Sequence, residues 1–241
     1  MDKSPVYLMA DMMSRVISPY TLTTSGKNSL RDILAEFIDF DQIAGSPVNL
    51  FITATNVHTG RGRVFRNDSI TPEALLASAC LPSMFQAIEV DGDFYWDGGY
   101  SGNPTLTPLV RYCEADDMIL IPINPIERAE VPRTSSEIMN RLNEISFNAV
   151  ALKELRMIAV LRKVVDAGDS EGARWARLRL HRVGNQIMNT LGASSKMITE
   201  WAFLTMLRDE GRKSAQAFLD VHAMDLGKKS TLDIDVLLEG V

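Results

Sequence analysis

The run Phe94-Tyr95-Trp96-Asp97-Gly98-Gly99-Tyr100 puts an acid at the exit of an aromatic, strand-like segment, with two glycines directly after it. A rigid strand aims a carboxylate and glycines clear space beside it. Asp97 is therefore a candidate general base, supported by Gly98 and Gly99. Asp-Gly-Gly is also good loop chemistry, and a plain turn remains the competing reading of the same residues. A base needs something to activate. In hydrolases built on a parallel sheet that partner is the serine of G-x-S-x-G, exposed on a tight strand-to-helix turn. Ser25, Ser46, Ser78, Ser83, Ser101 and Ser194 all fail this pattern. Ser101 is close to Asp97 in sequence but has neither the turn nor oxyanion donors around it. Gly60-Arg61-Gly62-Arg63 sits in a hairpin turn with no helix after it, so it is not placed to supply an oxyanion loop.

Little else in the chain points to chemistry. Cys80 and Cys113 form neither a disulfide framework nor a zinc spacing, and read as small buried hydrophobes. His58, His181 and His222 lack the spacing that puts two metal ligands on one helical face, so no metal site is expected. Arg61, Arg63 and Arg66 could meet a lipid phosphate, but read better as the solvated edge of a hairpin. Arg174, Arg177, Arg179, His181 and Arg182 could touch an anionic membrane surface. Interleaved with Trp175, Leu178 and Leu180, they read as the solvated basic face of a helix.

The elements that must position Asp97 follow from patterning. Residues 1–28 read as irregular, and Ser29-Leu30-Arg31-Asp32 as a capping box opening a helix over 30–39. Val48 to Val57 reads as a buried strand and 63–66 as a short returning one. Thr71-Pro72-Glu73 opens a helix that stops before Pro82. Asp91-Gly92 between two β-rich runs predicts a hairpin delivering Asp97 at the exit of its second strand. Met118 to Asn124 reads as another buried strand. From Ser135 three helices are expected: 135–167, one to about Leu191 after the break Gly168-Asp169-Ser170, and one from Ser195 to about Asp225.

With these residues in view, the chain resembles the patatin-like phospholipases, in their bacterial branch. The likeness rests on Phe51-Ile52-Thr53-Ala54-Thr55-Asn56-Val57 with His58-Thr59-Gly60, and on Ala77-Ser78-Ala79-Cys80-Leu81-Pro82 leading to Phe85. It continues through Asp93 to Tyr100 and Asn103-Pro104. Arg141 to Asn148, Ser194-Ser195-Lys196 and Glu200 to Leu204 are similar to that branch's helical tail. The resemblance covers most of the chain from about residue 45. It implies a partial three-layer α/β/α domain over 1–130 and an all-helical region over 131–241. It also implies a lipid acyl ester hydrolase working through a Ser–Asp dyad, with Asp97 at the family's aspartate and with no metal or organic cofactor. The family's Gly-rich loop and serine precede the matched region. The resemblance thus implies a member lacking its N-terminal third, through a late start codon, an annotation error or a real truncation, and inactive alone.

Asp titrates near pH 4 and becomes a useful base at neutrality only against an apolar wall with a hydroxyl in reach. Phe94, Tyr95 or Trp96 could supply that wall, and strand alternation sends only some of them to the side of Asp97. The alternative to a hydrolase is a non-catalytic binding or regulatory module on the same scaffold. At 241 residues, 46% hydrophobic and 23% charged, the composition fits an ordinary globular protein. Net charge −6 argues against nucleic acid as a partner. No apolar run reaches the roughly 18 residues of a membrane span, and Met1-Asp2-Lys3-Ser4-Pro5 does not open a signal peptide. A cytoplasmic location, an acyl-ester or lipid substrate and a peripheral contact with a membrane surface complete the expectations.

Overall fold

The computed structural model describes residues 18–22, 29–165, 168, 170–192, 195 and 198–237. The fold is α/β with a helical C-terminal region. It divides into two compact units: the described residues up to Leu109 with Ala149–Ala151, and Val110–Asn148 with Leu152 onward.

The first unit opens with α1 (Pro19–Leu22), α2 (Ser29–Phe37) and α3 (Phe40–Ala44). The four-residue α1 corrects the expectation of irregular chain there; residues 1–17 and 23–28, and the side chain of Ser29, lie outside the described residues. Four strands follow, β1 (Phe51–Asn56), β2 (Gly62–Arg66), β3 (Ile88–Val90) and β4 (Asp93–Asp97), with α4 (Pro72–Ser78) between β2 and β3. They form one antiparallel sheet in the order β2-β1-β4-β3. β1 is shorter than its apolar run. Asn67 accepts from the Leu50 N–H and donates to the Val48 carbonyl, so a side chain replaces the ladder before Phe51.

Both hairpins follow local rules. Asp91 and Gly92 take φ of 53° and 83°, the pair of positive values that a two-residue turn matching strand twist requires. The β1–β2 turn is set by Asn56, whose Oδ1 accepts from the Thr59 N–H at 2.9 Å and its hydroxyl at 3.1 Å. α4 starts as its sequence dictates: the Thr71 hydroxyl accepts from the Ala74 N–H at 3.2 Å, and Pro72 takes the first helical position. Its Ala74 and Ala77 pack on Ala54, Phe65, Val90 and Tyr95 to form the core of this unit.

The boundary divides α5 (Thr107–Tyr112) after Leu109; the second unit then contains β5 (Asp117–Leu120), α6 (Ser135–Val164), α7 (Glu171–Arg177), β6 (Arg179–Arg182), α8 (Ile187–Thr190), α9 (Trp201–His222) and α10 (Ile234–Leu237). β6 corrects two expectations: the region after 131 is not wholly helical, and the basic segment is not one helix. The helix ends at Arg177, and Arg179–Arg182 pair in parallel with Asp117–Leu120. Leu180 and His181 are fully buried, so tertiary pairing overrides a helix-like spacing. β5 stops at Leu120, two residues before Pro122, which has no N–H to give a ladder. It is not buried on both faces, for Ile119 is exposed.

α6 opens with a capping box in which the Thr134 hydroxyl accepts from the Glu137 N–H and the Glu137 carboxylate from the Thr134 N–H. The loop before it is tied down by Glu144, which takes Arg128 at 2.6 Å and Arg141 at 3.1 Å. Burial works against that carboxylate's charge, yet the two guanidinium groups hold its pKa below the usual range.

Candidate functional site

Asp97 closes β4 and caps a short 3₁₀ turn, Gly98–Tyr100, as the hairpin predicts. Its position is fixed through the main chain. The Asp97 N–H donates to the Cys80 carbonyl at 2.8 Å, just beyond α4. The Asp97 carbonyl accepts from the Thr55 hydroxyl at 2.8 Å, and Asp97 sits opposite Ala54 in the β1–β4 register. The carboxylate takes the Gly99 N–H at 2.7 Å, which sets its rotamer.

The two glycines do different work. A Cβ at Gly98 would stand 1.9 Å from the Thr53 carbonyl oxygen, so the backbone of β1 passes where any other residue would need space. Gly99 contributes its N–H to the carboxylate. Both are buried, and Asp97 is partly so.

The expected aromatic wall is not what stands beside Asp97. By alternation Phe94 and Trp96 belong to the opposite face of β4. Tyr95 shares the face but is committed to the core, edge-on to Phe65 with ring centroids 5.9 Å apart, its hydroxyl accepting from Arg63 at 3.1 Å. The charge of Asp97 is felt instead by Cys80 and Tyr100. Burial, with Asp97 adding to it, pushes the Cys80 thiol up to about 11 and raises the Tyr100 phenol. Cys80 is thus a buried thiol rather than a thiolate.

Ser101 is drawn into the scaffold: its Oγ lies 2.9 Å from the Thr55 hydroxyl and 3.2 Å from the Gly98 carbonyl. Arg63 is not a solvated edge charge, since it spans Tyr95 and Asp91 and stacks over Phe65 at 4.5 Å. Among the described residues no group of three or more His, Cys, Asp or Glu side chains converges to hold a metal ion.

Sequence reasoning singled out Asp97, Gly98 and Gly99 as candidates but missed the groups that clamp Asp97, Cys80 through its carbonyl and Thr55 through its hydroxyl. Neither has a signal in local sequence, because both contacts cross the sheet. It also missed a charged cluster in the second unit. Arg179 meets Asp117 with two N–H groups, the closer at 2.6 Å, and Gly227 donates its N–H at 2.9 Å. The buried His181 ring bridges Asp117 at 3.0 Å and the Thr231 hydroxyl at 3.0 Å. Arg179 foremost, with Gly227 and His181, holds the Asp117 carboxyl far below the usual carboxylate range against the cost of burial. The cluster fastens β5, β6 and the 227–231 segment together.

Neither a protein-family model nor a curated protein matches the chain. Of the tail motif Ser194-Ser195-Lys196, Ser194 and Lys196 lie outside the described residues. Among the described residues no helix is long and apolar enough to cross a membrane.

Proposed function

We propose that this chain carries the aspartate half of a patatin-like acyl ester hydrolase acting on lipids, with Asp97 as the base of a Ser–Asp dyad. The observation that carries the reading is the clamping of Asp97. Its N–H, carbonyl and carboxylate are each engaged, by Cys80, Thr55 and Gly99, and Gly98 lets β1 pass at closest approach. A catalytic group must be held to within about 0.5 Å, and these contacts supply such constraint. In the complete reaction a serine Oγ attacks the ester carbonyl and its proton passes to Asp97. That proton then goes to the departing alcohol, and water cleaves the acyl-enzyme. The substrate class is a phospholipid, lysophospholipid or neutral ester, met at the surface of a membrane from the cytoplasm, without metal or organic cofactor.

The single G-x-S-x-G of the 241 residues, Gly168 to Gly172, follows α6 rather than a strand, and its Ser170 caps α7 by accepting from the Ala173 N–H, so the chain shows no nucleophile elbow for Asp97 to activate. A missing oxyanion hole removes a further ~10²–10³ in rate. That absence also supports the second reading, a non-catalytic module on the same scaffold. A serine-directed fluorophosphonate probe is expected to leave the chain unlabelled; stoichiometric labelling overturns the claim that the nucleophile is missing. In-frame coding sequence upstream of Met1 separates the two readings. G-x-G-x-x-G followed by G-x-S-x-G supports the hydrolase, and Asp97→Asn in that longer protein should abolish ester hydrolysis. Intergenic sequence there supports the module.

A further inference from the structure

The basic segment 174–182 was expected to form one solvated face, and almost all of it is internally engaged. Arg174 donates to the Cys113 carbonyl, Arg177 to the Gly168 carbonyl, Arg179 to Asp117, and His181 is buried. Arg182 is the exception. It is exposed, and among the described residues its guanidinium has no hydrogen bond or ion pair. It lines a cleft of about 470 Å³ between the 182–186 segment and one face of α9. That face is a stripe at three- and four-residue spacing, on which Glu210, Lys213, Phe218, Val221 and His222 fall.

The cleft holds two permanent cations, Arg182 and Lys213, and one acid. That acid, Glu210, takes Asn185 Nδ2 at 3.0 Å and pairs with Lys213 at 3.7 Å. The Lys213 side chain is largely exposed. His222 Nδ1 lies 3.1 Å from Asp225, whose carboxyl is held below the usual range by His222 and then Lys229. That partner fixes the Nδ1–H tautomer and leaves Nε2 for a ligand. Phe218 and Val221 give the cleft an apolar wall, and Phe218 is braced between the rings of His181 and His222.

We propose that this cleft binds a small phosphate monoester carrying an apolar or aromatic group. Two permanent cations, Arg182 and Lys213, match the nearly dianionic head. The organic group lies on Phe218 and Val221. A carboxylate, with one charge and planar geometry, satisfies fewer of these donors. The site lies within the second unit and does not depend on the role of Asp97.

Ligand-observed NMR titration of the chain with phenyl phosphate tests this at pH 6.5. Saturable binding is expected, at least tenfold tighter than that of inorganic phosphate or benzoate. The double variant Arg182→Ala/Lys213→Ala should weaken it at least tenfold. Both side chains are exposed, so the far-UV circular dichroism should be unchanged. Lys228→Ala, an exposed lysine outside the cleft, should leave binding within twofold. The proposal is overturned by no saturation at millimolar phenyl phosphate, by equal loss with Lys228→Ala, or by an unaffected double variant. Inorganic phosphate binding as tightly overturns the apolar subsite, and benzoate doing so overturns the phosphate head.

Discussion

Gly98 is the residue on which the geometry around Asp97 turns. Its freedom is not needed for an unusual φ but for space, since a Cβ would overlap the Thr53 carbonyl at 1.9 Å. Backbone cannot swing aside as a side chain tip can, so Gly98→Ala must push β1 and β4 apart. Overpacking of this kind costs about 1–3 kcal/mol or more. A urea-denaturation midpoint should fall accordingly, and an unchanged midpoint would show that the sheet yields at no cost. Gly62→Ala is the informative comparison. There the nearest atom to the new Cβ is the Ser101 hydroxyl at 2.9 Å, the end of a side chain that can rotate, and the effect should be smaller.

At the scale of elements, β5 and β6 show what two short strands require. A two-stranded sheet is marginal alone, and this one is fastened by ion pairs and hydrogen bonds converging on Asp117. The Asp117 carboxyl titrates lower in the fold than in the unfolded chain, for which about 3.9 is the reference. It therefore contributes stability that is present above pH 4 and lost as pH falls through and below that value. Glu144 acts in the same sense. Thermal midpoints followed by circular dichroism should drop steadily from about pH 5 downward. Asp117→Asn should lower the midpoint at pH 7, by about 1–3 kcal/mol in stability for the lost charged hydrogen bonds, and flatten the acid limb. An acid limb identical to that of the native chain would remove Asp117 from this role.

Across the whole molecule, large apolar side chains stand in water in both units. Phe37 is 77% exposed in the first, and Ile121 and Trp201 are 74% and 78% exposed in the second. Ile119, Ile121 and Ile123 alternate along β5 and its exit, all exposed. Single exposed hydrophobics are ordinary, but a run of them marks a surface that associates. Sedimentation velocity should show mass increasing with concentration, and the dye ANS should brighten on binding. A monodisperse monomer that leaves ANS dark would contradict this.

The amino-acid sequence by itself determined the pieces whose causes are local. Asp-Gly makes the β3–β4 hairpin, Thr-Pro-Glu starts α4, and the near-continuous apolar runs give β1 and β5, because turn dihedrals, caps and β-rich composition act within a few residues. It also singled out Asp97 with Gly98 and Gly99, since an acid before paired glycines is visible in one dimension. Tertiary structure alone decided what surrounds them. Thr55 and Cys80 clamp Asp97 across the sheet, Tyr95 turns into the core instead of walling the carboxylate, and 179–182 leave helical spacing to pair with β5. Each of these rests on contacts between residues 17 to 62 positions apart, where burial and hydrogen-bond satisfaction outweigh local propensity.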